Sequence, residues 1–368
     1  MEENSPKLIV VLGMHRSGTS VIARGLQVMG VELGNRLMPP FEGNNSKGFW
    51  EDIDINDLNI EMLHYLKNEW HFLTPIQPSD VDRLSGNGYL ERALELLKNK
   101  TVSTKVFGFK DPRVAKLLPF WKQVFAQGQS KVSYVLVIRH PLSVCQSLAK
   151  RDGFDFEKSY LLWLEHVIDS LVGTEGETRV LVDYDRLMQM PETELTRIAE
   201  GLHLSVNMAE LQEFQLEFLD PKLQHTIYHL DDLFLDEKSL PLVQELYSFL
   251  LDEVTGSLDL ASPTLRKKIA QWEVEFSRMR SVLVFADKLG IRLSATMAER
   301  NRLNAERNAL SVELNAWLDE KAQITRALSE KEGTVQKLKA ELFAIYQSRF
   351  WRWTQPLRSF FSLFKQTK

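Results

Sequence analysis

Along the first 255 or so residues, short unbroken apolar runs alternate with stretches whose apolar residues recur every three or four positions. Lys7 to Leu12 (KLIVVL) is one such run and ends at Gly13. A strand that is apolar at consecutive positions is buried on both faces, as strands of a parallel sheet are. Val106 to Phe109, Val132 to Ile138 and Val180 to Asp183 read as three further strands. Thr19 to Met29, Val114 to Phe125 and Tyr160 to Val172 read as helices between them. Parallel strands need long crossovers, which helices supply. The pattern predicts an α/β fold, a parallel sheet sandwiched by helices. Leu33 to Pro78 interrupts the alternation with Pro39-Pro40, Gly43-Asn44-Asn45 and Gly48, and reads as a long excursion off the sheet. Composition leaves a substrate loop and a plain surface insertion equally open there.

Past Leu289 the chain turns to Ala, Glu, Arg, Lys, Leu and Asn. Spacings of four and three connect Leu310, Leu314, Trp317, Lys321, Ile324, Leu328, Lys331, Val335, Leu338, Leu342 and Ile345, nine of the eleven being apolar. That is a coiled-coil heptad, and it predicts a homo-oligomer, with a lone amphipathic helix folding back on the domain as the competing expectation. Lys321 and Lys331 weaken its core. The tail after Ile345 holds seven aromatics, five cations (Arg349, Arg352, Arg358, Lys365 and Lys368) and no acid. Such a segment suits contact with an anionic membrane surface, and docking on a protein surface is the competing expectation. The expected organisation is a catalytic domain over 1–255, a helical connector over 256–289, a coiled coil over 290–345 and a basic aromatic tail over 346–368.

Composition narrows the class. In 368 residues, 44% hydrophobic and 26% charged are ordinary globular values. A net charge of -5 gives no global signature of a nucleic-acid partner. Cys145, alone of its kind, forms no internal disulfide, and the acidic, polar N-terminus does not read as a secretory signal. The expectation is a cytoplasmic protein, peripheral at the inner face of the membrane if the tail binds lipid.

Two motifs carry chemistry. Gly13-Met14-His15-Arg16-Ser17-Gly18-Thr19-Ser20 falls between a strand and a helix with GxxxxG spacing. Glycines let the backbone curl round an anion, and a helix N-terminus aims amide N–H groups at it. The lysine of the nucleotide-triphosphatase loop is missing: Thr19 stands in its place, and the cation is Arg16. The second motif is Arg139-His140-Pro141 at a strand end, with Ser147 eight residues beyond the arginine. An arginine there and a serine on the following helix can grip one phosphate. No metal motif is apparent; His225 and His229 share a helical face without a nearby third ligand.

Together these elements resemble the sulfotransferases that use 3′-phosphoadenosine 5′-phosphosulfate (PAPS). His15 to Ser20 matches that family's 5′-phosphosulfate loop, and Arg139, Pro141 and Ser147 match its 3′-phosphate element. Lys110-Asp111-Pro112-Arg113, Leu162-Trp163 and Val182-Asp183-Tyr184-Asp185-Arg186-Leu187 follow bacterial members in family order, so the resemblance covers about residues 7 to 220. It implies a P-loop-like fold, PAPS as donor and 3′,5′-adenosine bisphosphate as product. It also implies cofactor contacts from His15, Arg16, Ser17, Gly18, Thr19, Ser20, Arg139 and Ser147. Arg16 would stabilise charge on the oxygen between sulfur and phosphorus. A carbohydrate, such as a surface-polysaccharide precursor, is the expected acceptor.

The base that takes the acceptor's proton falls to Glu51 or Asp111, with His15 a third candidate whose loop position better suits cofactor contact. Glu51 is preferred, because Phe49 and Trp50 beside it can exclude water and raise its pKa. Asp111, next to Lys110, can equally serve only to orient Arg113 or cap a helix. Two rivals stand: a P-loop kinase or nucleotide triphosphatase, and a non-catalytic assembly protein built round the coiled coil. Three further readings are structural: Trp163 in the core, Cys145 a buried thiol, and Glu192 to Glu200 a solvated helix face.

Overall fold

A computed structural model describes residues 6–41, 47–220, 227–255 and 260–365. Strands β1 (Lys7–Gly13), β2 (Val106–Lys110), β3 (Lys131–Ile138) and β4 (Thr178–Asp183) form one parallel sheet in the order β2-β1-β3-β4. Helices α1 (Thr19–Gln27), α2 (Ile53–Tyr65), α3 (Pro78–Gly86) and α4 (Tyr89–Thr101) lie between β1 and β2. After β2 comes α5 (Arg113–Gln127), and after β3 come α6 (Pro141–Asp152) and α7 (Phe156–Gly173). Beyond β4 follow α8 (Tyr184–Gln189), α9 (Pro191–Gly201), α10 (Met208–Glu213), α11 (Leu230–Leu235) and α12 (Pro241–Thr255). The chain ends in α13 (Pro263–Gln347), α14 (Arg349–Trp353) and α15 (Gln355–Lys365).

The apolar runs are explained by the two faces of the sheet. Leu8, Val10 and Leu12 of β1 join Leu136 and Ile138 of β3 in a core completed by Trp121 of α5 and Trp163 of α7. Ile9 and Val11, alternate residues on the same strand, face Val135, Ile22 and Leu26 of α1, and Leu195 and Ile198 of α9. Each such side chain contributes roughly 1.5–3 kcal/mol of burial. Trp163 and Cys145 are both fully buried, as expected.

The structure departs from the sequence reading in two places. The Leu33–Pro78 excursion contains a helix, α2, whose N-terminus is capped by the Asp52 side chain accepting from the amides of Asp54 and Ile55. The Glu192–Glu200 stretch is not a fully solvated face. Glu194 is buried between Arg186 at 2.6 Å and Arg197 at 2.7 Å. One helix, α13, runs from Pro263 to Gln347, through most of the expected connector and all of the expected coiled-coil segment.

The chain divides into two compact units, Met1–Lys288 and Leu289–Lys368. In the first, the opening turns of α13 bury Leu265, Ile269, Trp272 and Leu283, and Thr74 donates to Asp287 at 2.6 Å. A cavity of about 150 Å³ there is lined by Lys116 of α5, Glu165 and Asp169 of α7, and Arg280 of α13. Lys116 and Glu165 pair at 3.2 Å. In the second unit the heptad positions lie open, with Leu310 64% and Leu328 60% exposed. Among the described residues no helix is long and apolar enough to cross a membrane.

Candidate active site

The loop between β1 and α1 is held in a shape that suits an anion. Arg16 and Gly18 both adopt left-handed backbone, at φ 70° and 84°, and the Ser17 amide closes a turn onto the Met14 carbonyl at 3.1 Å. Position 18 admits no side chain, since a Cβ there would lie 2.0 Å from Cδ2 of Tyr184. Gly18 caps α1 without a side-chain hydrogen bond, and Gly18 and Thr19 border a cavity.

The sheet register brings Arg139 to this loop. Ile138 pairs with Asp183, so the residues that follow each strand, Arg139 and Tyr184, are neighbours; the guanidinium sits over the Tyr184 ring at 4.7 Å. Arg139 also donates to the Arg16 carbonyl at 3.2 Å and lies 3.8 Å from Asp185. Arg16 Nε donates to Ser147 Oγ at 2.7 Å. Burial, then the nearby Arg151 and Arg139 cations, lower the Arg16 pKa. Like charges gathered beside a helix N-terminus are relieved when an anion enters.

Beside β2 lies a second cluster. Lys110 Nζ meets Glu51 Oε1 at 2.5 Å, and Asn56 donates to Glu51 Oε2 at 2.8 Å. Asp111 accepts from Asn59 at 2.9 Å and, through Oδ1, from both the amide and the guanidinium of Arg113 at 3.0 Å. Asn59 Oδ1 in turn accepts from Trp121 Nε1 at 2.9 Å. Asp111 is thus spent on holding Arg113 and the asparagines. Glu51 borders the cavity. Burial raises its pKa and Asp111 adds to this, while Lys110 and Arg113 oppose.

These groups line one cavity of about 520 Å³. His15, Arg16, Gly18, Thr19, Ser20, Glu51, Lys110 and Arg139 all border it. Ser17 sits beneath, fully buried. Ser147 and Asp111 meet the site through Arg16 and Arg113 respectively. His225 lies outside the described residues, and among those described no cluster of three potential ligands could hold a metal.

Sequence reasoning missed Trp70, whose ring packs 4.2 Å from that of His15, and Arg151, which lies over Trp70 at 5.2 Å. Trp70 gave no local signal. Arg151 follows Ser147 by four residues on α6, so its place on the same helical face was there to be read. His15 is kept neutral, its pKa held well below the usual value by burial and then by Arg113 and Arg151.

The residues present fit a nucleotide carrying phosphates. Ser17 Oγ, His15 Nε2 and Arg139 Nε are buried without a hydrogen-bond partner among the described residues, and all three belong to the two sequence motifs. Buried polar atoms left so are uncommon unless a ligand completes them.

Fold and site together define an α/β protein with a P-loop-like anion cradle at the carboxyl ends of a parallel sheet. The sequence pattern of the sulfotransferase family matches residues 6–208, more than half of the chain, and the chain belongs to that family. Solved structures resemble it at low identity. The sulfotransferase domain from the curacin biosynthetic pathway is 18% identical at a TM-score of 0.35, covering 57% of this chain and 77% of that one. The sulfotransferase domain of the Synechococcus PCC 7002 olefin synthase is 15% identical at 0.37, covering 67% and 97%. Sulfotransferase STF9 from Mycobacterium avium is 16% identical at 0.40, covering 71% and 79%. No curated protein matches.

Proposed function

We propose that the chain transfers a sulfuryl group from PAPS to a hydroxyl of an acceptor, best a carbohydrate. The observation that carries the donor is the meeting of Arg16 and Arg139 at a left-handed loop whose buried Ser17 Oγ has no hydrogen-bond partner among the described residues. When bound, PAPS supplies an activated sulfuryl group, and its departure leaves 3′,5′-adenosine bisphosphate. The amides of Gly18 and Thr19 and the Ser17 hydroxyl would bind the 5′-phosphate, the Ser17 amide being held by the Met14 carbonyl, and Ser20, tied to the Phe49 carbonyl at 3.0 Å, fixes the loop against the acceptor side. Arg139 holds the 3′-phosphate, the group that separates this nucleotide from ATP. Ser147 orients Arg16, whose charge faces the atoms that become anionic.

Glu51 is the base in this reading. Its carboxylate borders the cavity, is held by Lys110 and Asn56, and keeps lone pairs for an acceptor hydroxyl proton. Burial raises the Glu51 pKa, and Lys110 opposes that rise without reversing it. Sulfuryl transfer of this kind asks the protein mainly for positioning and charge stabilisation. The half-buried Trp70 ring at the cavity edge supports a carbohydrate acceptor, since the apolar face of a sugar ring stacks on an indole.

Calorimetry tests the donor assignment. The protein should bind 3′,5′-adenosine bisphosphate far more tightly than adenosine 5′-monophosphate, and Arg139→Ala should erase most of the difference, roughly 10- to 150-fold for a charge-assisted contact. Equal affinity of the wild type for both nucleotides would sink the assignment. The acceptor is tested by a mass gain of one sulfate on a glycan prepared with the protein and absent without it.

A further inference from the structure

Residues 348–365 hold none of the residues assigned to that chemistry. In α15, Leu357, Phe360 and Phe361 recur at i, i+3 and i+4, and position 364 continues the series one turn on. Gln355, Arg358, Ser359 and Ser362 fall on the opposite side of the helix. The apolar face is open, with Phe360 60%, Phe361 67% and Leu357 61% exposed. In α14, Phe350 and Trp353 are open as well, 74% and 84% exposed. Arg358 lies 3.6 Å above the Trp351 ring, so a cation and an indole are held side by side.

Two observations choose the occupant. Continuing the heptad past Ile345 in steps of four and three reaches Arg349, Arg352, Pro356 and Ser359, so the apolar stripe of the coiled coil stops before this segment. Ser348 begins a separate helix there, its side chain accepting from the Trp351 amide. A second copy joined through the heptads therefore has no apolar stripe to lay on the tail. Charge points the same way. No carboxylate side chain follows Glu341, while Arg349, Arg352, Arg358, Lys365 and Lys368 do, so two copies of this segment repel and a negatively charged surface attracts it.

We infer that residues 348–365 are an interfacial anchor that lays its apolar face into an anionic phospholipid surface, with the arginines at headgroup level. Such a helix lies in the interface without spanning it, and its binding sums apolar burial with attraction to acidic lipids. The indoles of Trp351 and Trp353 suit the same depth, where one edge is apolar and the other wet.

The test is co-sedimentation of the full chain with vesicles of phosphatidylcholine alone or mixed with phosphatidylglycerol. The wild type should pellet with the mixed vesicles, weakly with the neutral ones, and less as salt rises. Reversing the cations in R349E/R352E/R358E should weaken partitioning at least about a hundredfold, at roughly fivefold per basic residue. Phe360→Glu with Phe361→Glu should abolish pelleting while leaving the sedimentation coefficient without vesicles unchanged. Equal pelleting on neutral and acidic vesicles overturns the inference, as does retained binding by the F360E/F361E variant. Loss of an oligomer in that variant, without vesicles present, would assign the face to protein contact instead.

Discussion

Replacing Gly18 by alanine asks whether the cradle depends on the shape of its backbone or only on its charges. Two effects add at this position. A residue with a Cβ at φ 84° meets left-handed strain of about 1–2 kcal/mol. The new methyl would also stand 2.0 Å from Tyr184 Cδ2, so the ring must retreat by more than an ångström to reach ordinary contact. That ring carries Arg139 at 4.7 Å, so its displacement disturbs the cation expected to hold the 3′-phosphate. Gly30 supplies the control: its φ is 74°, and nothing lies within 4 Å of its would-be Cβ. Gly30→Ala should therefore lose about 1 kcal/mol in urea unfolding and bind 3′,5′-adenosine bisphosphate as the wild type does. Gly18→Ala should lose more stability and weaken that nucleotide roughly 10- to 150-fold by calorimetry, the worth of one charge-assisted contact. If the Gly18→Ala protein keeps wild-type affinity, or if Gly30→Ala weakens binding as much, the contact between loop and ring does not organise the site.

Glu51→Gln should abolish turnover and spare nucleotide affinity, whereas Asp111→Asn should retain turnover; the opposite outcome moves the base to the strand end. Because burial raises the Glu51 pKa and Lys110 opposes it, the acid limb of kcat/KM should lie above the ordinary glutamate value and move higher in Lys110→Met. In the 150 Å³ cavity, burial and then Glu165 push Asp169 up to about 8, Lys116 and Arg280 partly offsetting this. A raised folded pKa stabilises fully below the unfolded value, roughly 4, and that stability is lost as pH rises through about 8. Urea unfolding of Asp169→Asn should lack this fall, and parallel pH profiles for the two proteins would refute it. Sedimentation should show the full chain as an oligomer and a chain ending at Leu289 as a monomer, while a monomer in both cases would leave the heptads without a partner.

Sequence periodicity located β3 and β4 to within two residues and β1 to within one, because a strand buried on both faces is apolar at nearly every position. It missed α2 for an equally physical reason. Asn56 and Asn59 sit on the buried face of that helix, where apolar residues were expected, and there they hold Glu51 and Asp111. Glu194 misled in the same way, a buried carboxylate neutralised by two arginines that sequence alone reads as surface. The cofactor motifs were legible because loop, strand end and helix start are contiguous. Trp70 was not, since its place beside His15 depends on how the intervening chain folds back.

The sheet order makes β1 and β3 adjacent, with Gly13 paired to Val137 at their carboxyl ends. The roots of the two anion-binding elements therefore stand one ladder step apart, about 4.8 Å, a distance fixed by backbone hydrogen bonds and not by side chains. If the proposed donor binds there, the sheet sets the distance between its two grips. Loops elsewhere can lengthen, and the acceptor side can be rebuilt, without changing the span between the two grips. In the proposed reading, substitutions such as Arg139→Ala change how firmly one grip holds, while the spacing between the two strand ends stays where the backbone ladder sets it.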